Sequence, residues 1–295
     1  MNTDLENDYN HIRNGGTGFY ESPRGLIAVW GKEAVQFLDG LISNDMKTLE
    51  DGHQILAAFP NAQGRLIAVV RVLRQGDRYL FDTEDTTREK VFQNLFRFTF
   101  AGDFFVDDLS ENYKYLEIFG SEPEGIATGF QFDSASSIGR FAENDLSVDF
   151  RADLVGKDAI KISDNLYEVL RIEKGVPKYG VDMDETTIIP ELGIDDLISY
   201  KKGCYIGQEI IARIYFRGHV AKRLAGLILS EPVTVGSELQ STDSKNAGRI
   251  TSVTFSPKLG KNIALAFVRY DYLATGTELL SGAVTATVTD IPFIN

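Results

Sequence analysis

Beyond Arg223 the sequence loses its helical periods, and that loss constrains the fold more than any other feature. The runs "LAGLILS", "GRITSVTFSP", "NIALAFVRY" and "AVTATVTDI" are short, β-rich, and divided by Gly, Pro, Asn and Ser. Strands of that length between turn residues predict a small antiparallel β-barrel of about 70 residues. Upstream, strand and helix patterns alternate. "GLIAVW" (residues 25–30) reads as a strand, and "KEAVQFLDGLI" puts Ala34, Phe37, Leu38 and Leu41 on one helical face. "HQILAAFPNAQGRLIAVVRVLR" reads as a hairpin around the turn at residues 60–64, and "DRYLFD" continues the meander. Val91, Leu95 and Phe98 repeat at helical spacing, with Phe92 and Phe96 widening an apolar stripe. "YKYLEIFG" opens a second strand–helix set, which leads to a helix over residues 165–174 with Asp164 as N-cap and Gly175 and Pro177 as its stop.

These patterns give an α+β chain with a flexible N-terminus (residues 1–20), an α+β region (21–223) of two lobes divided near residues 112–120, and a barrel (224–295). The glycines of "NGGTG" (residues 14–18) lack the Lys-Ser/Thr that a phosphate loop needs. A net charge of −13 argues against a general nucleic-acid or anionic-membrane surface, because phosphates meet a repelling field. One cysteine allows no internal disulfide and supports no Cys-rich metal site. The acidic start argues against a secretory signal or a mitochondrial leader, and no apolar run approaches the roughly 20 residues of a membrane span. A cytoplasmic protein is expected.

Charge reverses in one place. Residues 201–223 hold Lys201, Lys202, Arg213, Arg217, Lys222 and Arg223 against the single acid Glu209. They either pair with the acidic stretch at residues 182–196 or form a local anion site. Within them "KKGCYIGQEIIAR" carries the lone cysteine, Cys204. Its "GQEIIARI" reads as a helix from near Gly207 with Ile210, Ile211 and Ile214 inward, and Glu209 and Arg213 spaced as a surface pair. Two flanking lysines and a helix start favour a thiolate at Cys204; a small buried hydrophobe is the alternative.

This stretch resembles the signature of the YgfZ-type folate-binding proteins, K-G-C-[FY]-x-G-Q-E-x-x-x-R. Lys202, Gly203, Cys204, Tyr205, Gly207, Gln208, Glu209 and Arg213 match every fixed position. Upstream, Arg171, Glu173, Gly175, Pro177, Ile189 and Pro190 match the family's R-x-E-x-G-x-P … I-P segment. "GKEAVQFLDGLISNDMKTL" resembles its first helix and N-D dipeptide, and "NAQGRLIA" its N-x-x-G-[RK] turn. The resemblance implies a three-part aminomethyltransferase-like fold: two α+β lobes and a C-terminal antiparallel barrel around a central folate-binding opening. It further implies a monomeric, tetrahydrofolate-binding accessory factor without a settled turnover reaction. Such factors act with iron–sulfur assembly proteins, or on client enzymes such as tRNA-modifying methylthiolases, in assembling or repairing clusters. Direct nucleic-acid or membrane partners are not expected.

The wider group includes the glycine-cleavage T protein, a folate-dependent aminomethyltransferase, which is the first alternative. There the turn leads into paired aspartates that supply a catalytic carboxylate, where this chain has Ala68 and Val69. An apolar side chain can neither accept a proton nor steer an iminium charge. The segment G-Y-T-G-E of T proteins is also missing from "VGKDAIKISDNLYE". If tetrahydrofolate binds, Asn61 and Glu173 are candidates for pterin contacts, and Arg65, Arg171 and Lys202 for anionic groups. Trp30 is a candidate for lining the aminobenzoyl slot. Structural roles compete: an ion pair for Arg171 and Glu173, turn chemistry for Asn61 and Gly64, core packing for Trp30. Cys204 is the candidate reactive thiol. A single cysteine cannot hold a cluster alone, so no stably bound metal is expected. A Cys204–His219 hydrolase or acyltransferase is a further alternative.

Overall fold

The computed structural model describes residues 3–121, 129–134 and 137–294. They form two compact units, residues 1–163 with 195–208, and residues 164–194 with 209–295.

The first unit holds, in chain order, α1 (Thr3–Arg13), β1 (Thr17–Ser22), β2 (Arg24–Trp30), α2 (Ala34–Leu41), β3 (Gln54–Pro60), β4 (Leu66–Gln75), β5 (Arg78–Glu84), α3 (Asp85–Phe96), β6 (Phe105–Asp108), β7 (Tyr113–Gly120), β8 (Phe130–Asp133), β9 (Ile138–Glu143), α4 (Asn144–Gly156) and β10 (Ile160–Lys161). They build two sheets, ordered β3-β4-β5-β2-β6 and β10-β1-β7-β9-β8. Strand β4 shows the period of two: Leu66, Ala68, Val70 and Val72 are buried, and Ile67, Val69 and Arg71 between them are half-buried. The buried face joins Leu38 and Leu41 of α2 and Val91 and Leu95 of α3 in one core. Leu26, Ala28 and Leu80 on the opposite face pack on Tyr115, Phe132 and Phe141 of the second sheet. At that seam the buried Asp82 carboxylate accepts from Arg24 and Arg71, and Arg71 also donates to the Tyr115 hydroxyl and the Phe132 carbonyl, both at 3.1 Å. Burial works against the Asp82 charge, but the two guanidiniums hold its carboxyl below the ordinary value.

Two expectations are corrected here. Of the expected flexible N-terminus, residues 3–20 are not a tail: α1 buries Tyr9 and Ile12, and β1 pairs with β7 and β10. Nor do the lobes follow one another with a single division near residues 112–120. The chain places β1 in the second sheet before it lays down β2 in the first. Local polarity suggested a tail, whereas long-range pairing of β1 ordered it.

The second unit holds α5 (Asp164–Glu173), most of α6 (Gln208–Arg217), and β11 (Lys222–Leu229), β12 (Glu238–Gln240), β13 (Asn246–Ser256), β14 (Lys261–Arg269), β15 (Glu278–Ser281) and β16 (Val284–Thr289). The six strands close a barrel in the order β11-β14-β13-β12-β15-β16, every pair antiparallel. Leu227, Leu239, Ile250, Ala264, Ala266 and Val268 fill it. Closure leaves no unpaired edge among these strands.

The expected boundary between the two-lobed region 21–223 and the barrel is crossed, because residues 164–194 and 209–223 group with the barrel. Helix α5 lies against β13 and β14, and Arg171 donates to the Ser252 hydroxyl at 3.0 Å. The Glu173 carboxylate accepts from Ser256, and a side chain at Gly175 (φ +69°) would strike Ile291. Among the described residues no helix is long and apolar enough to cross a membrane.

Candidate functional site

Helix α2 ends with carbonyl groups that have no partner inside the helix, as every helix does. The sequence that meets them is the signature stretch, more than 150 residues downstream. Lys202 Nζ donates to the carbonyls of Asp39 (2.6 Å), Ile42 (2.9 Å) and Asn44 (2.7 Å), and sits 3.3 Å from the Asp39 carboxylate. The Ile206 amide donates to the Gly40 carbonyl at 3.0 Å. A buried ammonium at a helix C-terminus satisfies both the orphan acceptors and the negative end of the helix dipole. Burial draws the Lys202 ammonium below the ordinary lysine value even though Asp39 pushes it up. Burial likewise raises Asp39, but Lys47 at 2.9 Å and Lys202 overcome it and leave the carboxyl below its ordinary value.

The rest of the stretch is fixed just as firmly. Tyr205 is buried beneath the Lys202 ammonium, 5.1 Å from its ring, and burial pushes its phenol well above the ordinary value. Gly207 takes φ +79°, and a Cβ there would collide with the Asn61 carbonyl. Only glycine combines that backbone with that approach. Gln208 Nε2 donates back to the Gly203 carbonyl at 3.1 Å. Between these fixed points Cys204 is exposed, four residues before α6 begins. The structure thus brings Lys202, Cys204, Tyr205, Gly207 and Gln208 together with the 60–64 turn in one site. Of the two flanking lysines, Lys202 is turned onto α2 and Lys201 is exposed.

The candidate folate contacts divide. At the turn, Asn61 Oδ1 accepts from the amides of Gln63 (2.9 Å) and Arg65 (3.0 Å), the turn chemistry its alternative reading described; Arg65 is exposed beside it. Gly64 takes φ +70° there. Lys202 has no exposed side-chain surface, and its charge meets the end of α2. In the second unit Arg171 is likewise enclosed: Asp182 at 2.7 Å, Glu168 at 2.6 Å and the Val176 carbonyl at 2.8 Å take up its guanidinium. Glu173 is fully buried against Ser256. Trp30 stacks on Phe105 with centroids 5.7 Å apart, at the edge of a core cluster.

Other details depart from the local reading. Glu209 and Arg213 form no ion pair among the described residues, and on α6 only Ile211 is fully buried, with Ile210 and Ile214 half-buried. The acidic residue Asp182 pairs with Arg171 and not with the basic stretch. His219 is exposed, stacked on Tyr270 at 3.7 Å, with Nδ1 3.0 Å from the Val220 carbonyl. Ala68 is fully buried in the core of the first sheet. No group of three or more His, Cys, Asp or Glu side chains suited to a metal ion occurs among the described residues.

The "LDGLISND" end of α2, marked in the sequence only by its family resemblance, anchors this site through two polar side chains. Ser43 Oγ donates to the Leu197 carbonyl at 2.6 Å and accepts from the Ala58 amide at 2.8 Å. Asn44 Nδ2 donates to the carbonyls of Leu56 and Asp196. The available signal was a polar cluster just past an apolar helical face.

Comparison with known proteins agrees with this architecture. The GCVT N-terminal domain matches residues 1–142, and the glycine cleavage T-protein C-terminal barrel domain matches residues 222–295. An "iron-sulfur cluster assembly factor IBA57 homolog, mitochondrial" of Mycosarcoma maydis is 30% identical over 230 residues, covering 69% of this chain and 55% of that protein. The chain therefore spans little more than half the length of that relative. An aminomethyltransferase of Rubrobacter xylanophilus is 28% identical over 287 residues, covering 85% of this chain and 75% of the relative. The crystal structure of glycine cleavage system aminomethyltransferase T from Bartonella henselae matches with a TM-score of 0.87 over 98% of this chain and 89% of the other, at 19% identity, which shows a shared fold. With both T-protein domains in their places along the sequence, the chain belongs to the glycine-cleavage T-protein-like superfamily.

Proposed function

We propose that the protein is a reduced-folate-binding factor that uses Cys204 in assembling or repairing iron–sulfur clusters, with cluster-assembly proteins or client enzymes as partners. The observation that carries this reading is an exposed thiol on a rigid frame. Packing would bury a lone cysteine; here Lys202 and Tyr205 on either side are buried and held, and the Cys204 thiol is exposed between them. A thiol held that way can take up and hand on a transient sulfur, iron or one-carbon species without reorganising its loop. The name of the Mycosarcoma maydis relative supports the assembly role. Methylthiolating tRNA-modifying enzymes remain the proposed clients and the cytoplasm the proposed compartment.

Tetrahydrofolate enters this proposal through the relatedness to folate-using T proteins. Of the five candidate contacts, Arg65 and the Asn61 amide at the exposed turn fit a ligand. Lys202, Arg171 and Glu173 are committed to the protein itself and fit as supports for the fold. Aminomethyl transfer is the second reading, favoured by the relative from Rubrobacter xylanophilus. Against it stands Ala68, a core methyl group at the place where T proteins keep a carboxylate.

The test is a Cys204→Ala protein in a deletion strain. It is expected to fold and to bind folate as wild type does, and to leave iron–sulfur enzyme activity unrestored. Full restoration would remove Cys204 from the mechanism. Separately, a reduced folate at one hundred times its Kd should stabilise the protein by about 2.7 kcal/mol. No thermal shift with any reduced folate would remove the cofactor.

A further inference from the structure

The outer face of the barrel carries an arrangement that the proposed function does not use. In the β11–β14 ladder Lys222 stands directly opposite Arg269, and in the β13–β14 ladder Arg249 stands opposite Phe267. Because side chains alternate, Phe267 and Arg269 share one face, opposite to the core residues Ala266 and Val268. All three cations therefore project on the same side, around the Phe267 ring, with Lys222 Nζ 4.6 Å from its centroid. Like charges directly opposite in a sheet destabilise it. None of the three has an ion-pair partner among the described residues.

Their heads open into a cavity of about 600 Å³, walled by residues 181–184 and 186–187 and by Val235, Gly236 and Gly248, all within the second unit. That volume lies in the range of small-molecule sites, roughly 300–1,000 Å³. Gly248 (φ +146°) lets β13 close onto the Phe267 carbonyl, and Gly236 leaves room for the Arg249 guanidinium. Three carboxylates also face the cavity. Asp182 is taken up by Arg171 and the Thr251 and Ser252 hydroxyls. Asp184 accepts from the Thr186 amide and hydroxyl and lies within electrostatic reach of Lys222. Glu238 is exposed, opposite Arg249 in the ladder.

We propose that this cleft binds a small phosphate ester, with Lys222, Arg249 and Arg269 on the phosphate and Asp184 and Glu238 on hydroxyl or amino groups of its organic part. Two guanidiniums give the forked donor geometry that phosphate oxygens accept, and the ammonium adds a point charge. A bare anion would leave the two carboxylates facing it in repulsion, so the fitting ligand carries hydrogen-bond donors at the end away from its charge. The bound phosphate would also relieve the opposition of Lys222 and Arg269.

Isothermal titration of the full chain with ribose 5-phosphate, inorganic phosphate, ribose and citrate tests this. Ribose 5-phosphate is expected to saturate and to bind more tightly than the other three. Arg249→Gln and Arg269→Gln should each weaken it about tenfold, as loss of a charge-assisted hydrogen bond does. Without ligand, Arg269→Gln should melt no lower than wild type, since it removes a like-charge pair; a binding loss is then not an unfolding loss. Arg249→Gln supplies an independent second variant. Absence of saturable ribose 5-phosphate binding, equal binding of citrate, or binding unchanged in both variants would overturn the proposal.

Discussion

Each unit buries one basic residue that the family motifs marked, and the two are neutralised in different ways. Lys202 in the first unit meets three backbone carbonyls and shares Asp39 with Lys47. Arg171 in the second meets carboxylates, Asp182 and Glu168, together with one carbonyl and a hydroxyl. Removing Lys202 would leave neutral carbonyl acceptors unsatisfied while Asp39 keeps Lys47 as its counter-charge. Removing Arg171 would leave the fully buried Asp182 carboxylate without its counter-charge. The first ion caps a helix and aims a loop; the second holds α5 against the barrel.

The largest effect is therefore expected at Arg171. Arg171→Met should cost about 3–5 kcal/mol, the usual result of stranding a buried charge. Urea unfolding would measure it, and adding Asp182→Asn should recover part of the loss. A cost no greater than that of Lys202→Met would erase the difference between the two ions. Lys202→Met should cost about 1–3 kcal/mol, the range for unsatisfied buried acceptors. Its distinguishing effect is local: thiol-labelling kinetics at Cys204 should change severalfold while those of Arg171→Met stay near wild type, given a chain that remains folded.

Gly207→Ala should cost roughly 1–3 kcal/mol through its left-handed backbone, and should alter Cys204 labelling in the same way, because it presses on the turn at Asn61. Acid stability sharpens the contrast further. Asp39 and Asp82 both hold their protons less tightly in the folded chain than ordinary aspartates do. As pH falls the unfolded chain takes up those protons first, so stability is intact above the ordinary value of about 3.9 and is lost as pH drops through the folded values. Urea midpoints should be flat from about pH 5 to 7 and fall below about pH 4. In Lys202→Met the Asp39 carboxyl should titrate higher by NMR. Smallest of all, Cys204→Ala should alter stability by no more than about 0.5 kcal/mol, since its side chain is exposed.

Much of the local structure was legible because it depends on neighbours along the chain. Alternation in β4, the apolar face of α2, the Asn61–Gly64 turn and the texture change after Arg223 all rest on contacts within a few residues. The signature stretch could be marked as functional, but its residues could not be sorted into frame and reagent. Lys202 and Cys204 stand two apart, yet one is enclosed and the other exposed. What decides between them is the C-terminus of α2, far upstream.

By itself the sequence determined the element types, a barrel at the C-terminal end, and the loop that holds the lone thiol. Only tertiary structure decided that residues 3–20 are ordered, that residues 164–194 join the barrel, and that Lys202 and Arg171 are enclosed by the protein's own acceptors. Only cross-strand register set Lys222, Arg249 and Arg269 around one ring. The physical reason is the same in each case. Periodicity is a property of adjacent residues, but the burial of a charge depends on which distant groups arrive to satisfy it.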